Sequence, residues 1–371
     1  MKQTRPRIIS YIYVSTRLRV RKASLFPFPV YQRLLRMSIS GIALFLMQHG
    51  YGTGLAENVR VQAGPEQLEA MLLEHLEKTY HDVLRITTGE MRDLTAAFLR
   101  RWDIINVMVI LRGKYAGIPV ASLREILISA GELGPDDLDA LLAEPDTGGV
   151  VERLSRWRLV HILEAEYHAK PERHRFARIE TALHRAYYAG LLCPCRESVR
   201  GDATFTRYLR LEIDTLNFRM LLRLRAGRRT VNLSDHLIPG GTIPLEAFEQ
   251  MNSAATREEF LARFEVTPLF PLLIDALCLH RTEPALCEED AVAYITDRWM
   301  ARLRPAHEVE MAVNHVRLDR MDDLSRRDPF SVLPVIVYLE RKRYEVYNLR
   351  AIITGLQDGL APEEIEPYIV L

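Results

Sequence analysis

The chain has 371 residues, of which 48% are hydrophobic and 26% are charged, a composition typical of globular proteins. Its formal net charge is zero, so no overall basic character favours a nucleic-acid partner. At this length we expect two or three domains, since one hydrophobic core seldom serves so many residues. No apolar run approaches the roughly 18–20 residues of a membrane span. Four cysteines are too few for a disulfide framework, which favours free thiols in a reducing cytosol.

The N-terminal segment is the part of the sequence with a strong charge bias. Residues 1–36 contain nine Lys or Arg, and the first acidic residue is Glu57. Such a segment could be a transit peptide, a contact with an anionic membrane or acidic partner, or the solvated face of a helix. The apolar positions in "YIYVSTRLRVRKASLF" (11–26) weaken the transit-peptide interpretation, and we favour the solvated face.

Most of the remaining sequence has the apolar spacing of amphipathic helices. The clearest predicted helices cover residues 65–86, 173–192 and 288–305. Pro and Gly clusters, as at 131–137 and 238–244, mark connections between helices. No stretch alternates apolar and polar residues for long enough to require a sheet. The sequence therefore predicts an all-α fold.

One helical pattern occurs three times, at residues 106–119, 217–228 and 348–360. Each copy has an acid three residues before an Asn, and apolar residues at the first, fourth and fifth positions after it. Those apolar positions share one helix face, which indicates core packing. A Gly then ends each helix. The acid, Asn and Gly are Asp103, Asn106 and Gly117; Asp214, Asn217 and Gly227; and Glu345, Asn348 and Gly359.

The three acids project on the same side as the apolar residues, one helical turn earlier. An unpaired buried carboxylate is costly, so each must begin its helix or meet a donor. We expect Asp103, Asp214 and Glu345 to hold equivalent contacts between helices, with an arginine of a neighbouring repeat as one candidate donor.

Arginine recurs at the second or sixth position after the Asn, on a face roughly opposite the apolar stripe. These arginines are candidates to line a shared cavity, with exposure to bulk water as the alternative. In the third copy Thr354 stands at the sixth position, so such a cavity would be unequal around its axis. The candidates are Arg112, Arg219, Arg223 and Arg350.

The agreement between the copies continues beyond the glycines. Residues 127–142 align with 237–251, and the second copy stays one residue short throughout, as a single deletion would leave it. Two further apolar positions recur, at Leu123, Leu233 and Ile365 and at Leu127, Leu237 and Ile369. The sequence therefore predicts three homologous helical-bundle domains, at residues 1–132, 133–242 and 243–371.

Segments along the chain, from "YIYV.TRLRVRKASLF" through "LRGKYAG" and "LIPGG" to "PVIVYLERKRYEVYNLRAIITG", match a known family. The chain resembles the C subunit of archaeal A-type rotary ATPases, equivalent to the d subunit of the vacuolar enzyme. Residues 1–9 precede the part of the chain that is similar to the family. Two interpretations are an N-terminal extension and a start position assigned too far upstream. The resemblance implies three helical domains around a pseudo-threefold axis, forming a funnel.

The same resemblance implies a non-catalytic subunit that transmits torque between the ATP-converting head and the membrane. Its expected partners are the central-stalk subunits and the rotor ring of proteolipid subunits. The basic N-terminal segment adds anionic lipid head groups as a further candidate partner. Its expected location is peripheral, at the cytoplasmic face of the cell membrane.

Enzyme motifs are weak throughout the sequence. There is no G-x-x-x-x-G-K-[ST] loop, "GYGTG" (50–54) lacks dinucleotide-fingerprint spacing, and "HEVEM" (307–311) lacks the second His of a zinc motif. Glu164 and His168 share a helix face, and Cys193 and Cys195 have one residue between them; metal binding is the less favoured interpretation of both pairs. We predict no catalytic residue, cofactor or metal. The alternative is a general helical scaffold, or an enzyme with a site between domains.

Overall fold

The computed structural model describes residues 4–52, 64–169, 174–197, 203–226, 232–279 and 305–371. Within these ranges the chain is built of helices and connecting turns, without a strand, which confirms the all-α prediction. The chain separates into two compact units. Unit 1 comprises Met1–Ser155 and Pro329–Leu371, and unit 2 comprises Arg156–Asp328. The division into three domains at 1–132, 133–242 and 243–371 stays a prediction.

Unit 1 contains the first and last helices of the chain. They are α1 (Thr4–Ala23), α2 (Phe28–Leu34), α3 (Ile39–Gln48), α4 (Pro65–Ile86), α5 (Gly89–Leu99), α6 (Arg101–Tyr115), α7 (Val120–Arg124), α8 (Pro135–Ala143), α9 (Thr147–Arg153), and, after unit 2, α17 (Leu333–Gln357) and α18 (Pro362–Ile365). Short 3₁₀ turns cover Leu154–Arg156 and Glu366–Tyr368.

Unit 2 contains the helices between them. They are α10 (Val160–His168), α11 (Arg175–Glu197), α12 (Ala203–Ala226), α13 (Leu245–Ser253), α14 (Arg257–Glu265), α15 (Leu269–Leu279) and α16 (Pro305–Arg327). A 3₁₀ turn covers Leu233–His236.

The helix bounds follow from local sequence. Helix α4 has a Pro in its first turn, where the missing N–H costs no hydrogen bond, and it ends at Ile86, because the next residue, Thr87, is in extended conformation. It coincides with the predicted helix at 65–86. Helix α11 confirms the helix predicted at 173–192, although it runs from Arg175 to Glu197. The helix predicted at 288–305 lies almost entirely outside the described residues.

The core of unit 1 forms around α17, which packs mainly against α4 and α1. Apolar residues are buried on several sides of this 25-residue helix, as expected of a helix enclosed by others. In unit 2, α12 and α15 both pack against α16. There the rings of Phe218 and Phe264 stack with centroids 4.6 Å apart. None of the described helices is both long and apolar enough to cross a membrane.

Candidate functional site

The three repeated motifs lie on α6, α12 and α17. The structure buries all three asparagines, with exposed fractions of 1–2%. A buried amide needs partners for both its carbonyl and its NH₂ group, because an unsatisfied polar group costs about 1–3 kcal/mol. The partners of these asparagines therefore define the surroundings of the motif.

Each asparagine side chain makes the same pair of hydrogen bonds to the backbone 21 or 22 residues later. The NH₂ group donates to a carbonyl, and the side-chain oxygen accepts from the N–H of the same residue. We call this pairing the asparagine clamp. The clamps are Asn106 with Ile128 (2.8 and 3.1 Å), Asn217 with Ile238 (2.8 and 2.8 Å), and Asn348 with Val370 (2.7 and 2.9 Å).

The carboxylates of the first two copies bind the backbone further along the same connection. Both oxygens of each Asp accept from successive backbone N–H groups, at 2.8 and 3.0 Å in one copy and 2.9 and 3.1 Å in the other. The donors are backbone amides of the connections that follow the two helices, and not an arginine of a neighbouring repeat. The contacts are Asp103 with Glu132 and Leu133, and Asp214 with Thr242 and Ile243.

A glycine makes room for each of these aspartates. A Cβ placed on Gly131 would lie 2.1 Å from Asp103 Oδ1, and one on Gly241 would lie 2.1 Å from Asp214 Oδ1. Real Cβ atoms do not approach oxygen so closely, so any side chain here would displace the carboxylate. This explains why the sequence aligns glycine with glycine in the two connections.

The third carboxylate has different partners. Glu345 Oε2 accepts from the N–H of Phe26 at 2.7 Å, and Oε1 accepts from Tyr51 Oη at 2.5 Å and Lys342 Nζ at 2.6 Å. Lys342 also donates to Tyr51 Oη at 2.9 Å. Glu345 therefore ties α17 to the N-terminal part of unit 1, and its cationic partner comes from its own helix.

Burial governs the electrostatics of the motif. It raises the pKa values of Asp103 and Asp214 to about 6, while the backbone hydrogen bonds act in the opposite direction. Burial also lowers the pKa of Lys342 below its usual range, against the effect of Glu345. His75, whose ring stacks on Tyr51 at 4.1 Å, has its pKa lowered to about 3 by burial and then by the charges of Lys342 and a second lysine.

Sequence reasoning missed a set of buried charges. Arg101 Nη1 lies 3.2 Å from Glu340 Oε1, and Arg343 Nη2 lies 2.9 Å from Glu340 Oε2, within unit 1. In unit 2, Arg317 Nη1 lies 3.0 Å from Glu212 Oε1. One signal was available: the residue five positions before each motif Asn is charged, namely Arg101, Glu212 and Arg343.

Two of the three predicted helix stops are as expected. Gly117 and Gly359 have φ of +69° and +73°, in the left-handed region that glycine adopts without strain. The N–H of the following residue donates to a carbonyl five residues back, at 2.9 Å in both copies, which is the Schellman arrangement. Gly227 lies outside the described residues.

The four candidate arginines have different surroundings. Arg350 donates to Glu69 of α4 at 2.8 Å, and Arg219 donates to Asn314 of α16. Arg112 and Arg223 are exposed. Their role as lining of a shared cavity stays a prediction.

Unit 2 contains a cavity of about 160 Å³ beside Asp214. Leucines and a proline line most of it, and the basic side chains in its wall belong to Arg207 and Arg320. None of the four candidate arginines contributes to this lining.

In the described part of the chain, no cluster of three or more His, Cys, Asp or Glu side chains could hold a metal ion. The thiol of Cys193 is exposed, and the side chain of Cys195 lies outside the described residues. In "HEVEM" and "GYGTG" the structure describes only Met311 and residues 50–52 respectively at side-chain level. The asparagines and aspartates of the motif form hydrogen bonds that hold helices to connections.

Comparison with known proteins identifies the family of the chain. The family described as ATP synthase (C/AC39) subunit matches residues 14–368. The chain belongs to this family. It is 30% identical to the C subunit of the A-type ATP synthase of Methanosarcina acetivorans, over 98% of this chain and 93% of that protein. It is equally identical to the corresponding C subunit of Halobacterium salinarum, over 98% of both proteins.

Membership of the C/AC39 family confirms the resemblance noted in the sequence. The chain is a subunit of an A/V-type ATP synthase and is not an enzyme by itself. The repeated motif agrees with that role, because its polar residues are used in hydrogen bonds to the protein's own backbone and side chains.

Proposed function

We propose that this chain is a central-stalk subunit that joins the stalk of an A-type ATP synthase to its membrane rotor ring and transmits torque. Its partners are the stalk subunits on one side and the ring of proteolipid subunits on the other. It works as a peripheral subunit at the cytoplasmic face of the cell membrane.

One observation supports this proposal most directly: the family match covers nearly the whole chain, from residue 14 to residue 368. A subunit under torque also needs helices that keep their positions relative to the connections between them. The asparagine clamps meet this need, since each fixes a buried helix to the backbone of a connection by two hydrogen bonds.

We further propose that the three motif helices belong to three homologous domains at 1–132, 133–242 and 243–371, arranged around a pseudo-threefold axis. The recurrence of the same clamp on α6, α12 and α17 supports common descent of the three segments. The stalk would then enter a funnel between them.

The proposal is tested by removing the subunit from cells and measuring two activities in their membrane preparations. ATP hydrolysis by the head should persist, whereas ATP-driven ion uptake into closed vesicles should be lost. Expression of the intact chain in the same cells should restore uptake. Ion uptake that continues without the subunit would contradict the coupling role.

A second measurement tests the partners. The tagged chain, isolated from gently solubilised membranes, should carry stalk and ring subunits in fixed proportion. Recovery of the chain without either set of subunits would refute the proposed connection.

A further inference from the structure

Helix α1 has two distinct faces over residues 11–23, where its side chains are described. Val14 and Leu18 are buried, and Ser15 Oγ donates to the carbonyl of Pro329 at 3.0 Å. This face packs within unit 1, mainly against α17. The opposite face of α1 is exposed.

Three large apolar side chains on that opposite face are exposed. Ile12, Tyr13 and Val20 have exposed fractions of 46%, 54% and 69%. At about 100° per residue, Ile12, Thr16, Val20 and Tyr13 fall within one arc of about 100° on the helix surface. They form a continuous strip, which we call the α1 strip.

Arginines border the α1 strip on both sides. By the same geometry, Arg19 lies just beyond Ile12, and Arg17 lies just beyond Tyr13. Arg17 donates to Tyr13 Oη at 2.8 Å, which leaves most of its N–H groups available. Arg19 makes no hydrogen bond or ion pair with the described part of the chain.

The charge of the surrounding sequence has one sign. Nine Lys or Arg occur in residues 1–36, and no acidic residue precedes Glu57. An exposed apolar strip with basic edges is the pattern of a helix that lies in a membrane interface. Tyrosine suits that position, since its ring is apolar and its hydroxyl stays hydrated.

We propose that the α1 strip docks on the surface of an anionic lipid membrane. Ile12, Tyr13 and Val20 enter the boundary between head groups and acyl chains, and Arg17 and Arg19 contact lipid phosphates. This contact is made by unit 1 directly with lipid, and it does not depend on the torque-transmitting role.

The experiment is flotation of the purified full-length protein with vesicles. Vesicles of phosphatidylcholine with roughly 30–40% phosphatidylglycerol, an anionic lipid, are compared with phosphatidylcholine alone. The protein should float with the anionic vesicles, less so at high salt, and not with the neutral ones. The variant Ile12→Ser/Tyr13→Ser/Val20→Ser and the variant Arg17→Gln/Arg19→Gln should both bind less.

The expected loss of affinity for anionic vesicles can be calculated for the two variants. A basic residue near an anionic surface contributes roughly 1 kcal/mol, so two arginines correspond to about a 30-fold loss of affinity. We expect a loss of at least roughly tenfold for the apolar variant as well. All substituted side chains are exposed, and an unchanged melting temperature will show that the variants fold.

Two variants elsewhere serve as matched controls. Val266→Ser removes a valine that is 85% exposed, and Arg326→Gln/Arg327→Gln removes two exposed arginines. Both should bind anionic vesicles as the unmodified protein does. Equal binding of the α1 variants, or no preference for anionic vesicles, would overturn the proposal. So would α1 variants that bind vesicles normally but fail to assemble with other ATP synthase subunits, since the strip would then be a protein interface.

Discussion

Asn106, Asn217 and Asn348 each satisfy the backbone N–H and the backbone carbonyl of one residue, and no other side chain could do this with the same geometry. Asp lacks the donor, and Gln is longer by one methylene group. The recurrence of Asn at the three positions therefore has a chemical reason. Sequence spacing located these residues, but their partners became visible only when the connections folded back onto the helices.

We expect Asn217→Ala to lower the free energy of unfolding of the protein by about 2–4 kcal/mol. It removes two hydrogen bonds and leaves the buried N–H and carbonyl of Ile238 without partners. Urea denaturation measures the change. Asn232→Ala is the matched control, because Asn232 is exposed and its side chain makes no capping hydrogen bond. Equal stability of the two variants would show that the clamp is dispensable.

His75 predicts a pH dependence of stability. Its pKa is lowered to about 3 in the folded protein, from an ordinary value of about 6.5. Between these values the unfolded chain binds a proton that the folded chain does not, so stability falls as the pH falls below 6.5. Asp103 and Asp214 act in the opposite direction, because their raised pKa values favour protonation of the folded protein.

A variant isolates the contribution of His75. As the pH falls from about 6 to about 5, the unfolding free energy of His75→Gln should rise relative to that of the unmodified protein by roughly 1.4 kcal/mol per pH unit. Above about pH 7.5 the difference between the two proteins should be constant. Denaturation curves at several pH values measure it, and parallel pH profiles would refute the assignment.

At the scale of helices and connections, the carboxylates of Asp103 and Asp214 depend on two glycines. We expect Gly241→Ala to cost about 2–4 kcal/mol, because its Cβ would displace Asp214 from two backbone N–H groups. Gly190→Ala is the matched control within α11, where a Cβ meets no atom within 4 Å. Alanine there should stabilise the protein by about 0.5–1 kcal/mol. Thermal denaturation distinguishes the destabilising substitution from the stabilising one. If Gly241→Ala stabilised the protein, the proposed steric role of Gly241 would be wrong.

The contact between α6 and α17 rests partly on Glu340. We expect Glu340→Gln to destabilise the protein by about 3–5 kcal/mol, because Arg101 and Arg343 would lose the charge that they share. Asp323→Asn is the control, since its ion pairs with Arg320 and Arg326 are exposed and worth about 1 kcal/mol or less. Chemical denaturation compares them. If Glu340→Gln destabilised the protein as little as Asp323→Asn does, the buried charges would already be hydrated.

Whole helices were easier to predict than their contacts. The sequence predicts helix α4 with the same bounds as the structure, because the apolar spacing that indicates it is a local signal. The ion pair of Arg101 and Glu340 joins residues 239 positions apart, and no local signal encodes such a pairing. The sequence did contain the charged position before each Asn, which a comparison of the three copies could have revealed.

At the scale of the molecule, the threefold recurrence predicts similar energetics in all copies. Asn106→Ala, Asn217→Ala and Asn348→Ala should each destabilise the protein by a similar amount, within about 1 kcal/mol, since the three clamps have the same bonds and burial. Hydrogen exchange of the amides of Ile128, Ile238 and Val370 would report each clamp locally. A single sensitive copy would argue against equivalent roles.

The partners of Glu345 affect the order in which the chain can fold. The asparagine clamps close loops of about twenty residues, so each can form soon after its segment leaves the ribosome. Glu345 instead binds Tyr51 and Phe26, which precede it by 294 and 319 residues. During synthesis the N-terminal helices must therefore wait, with apolar surface uncovered, until α17 emerges and fills the centre of unit 1. That interval is when a chaperone would have most to protect.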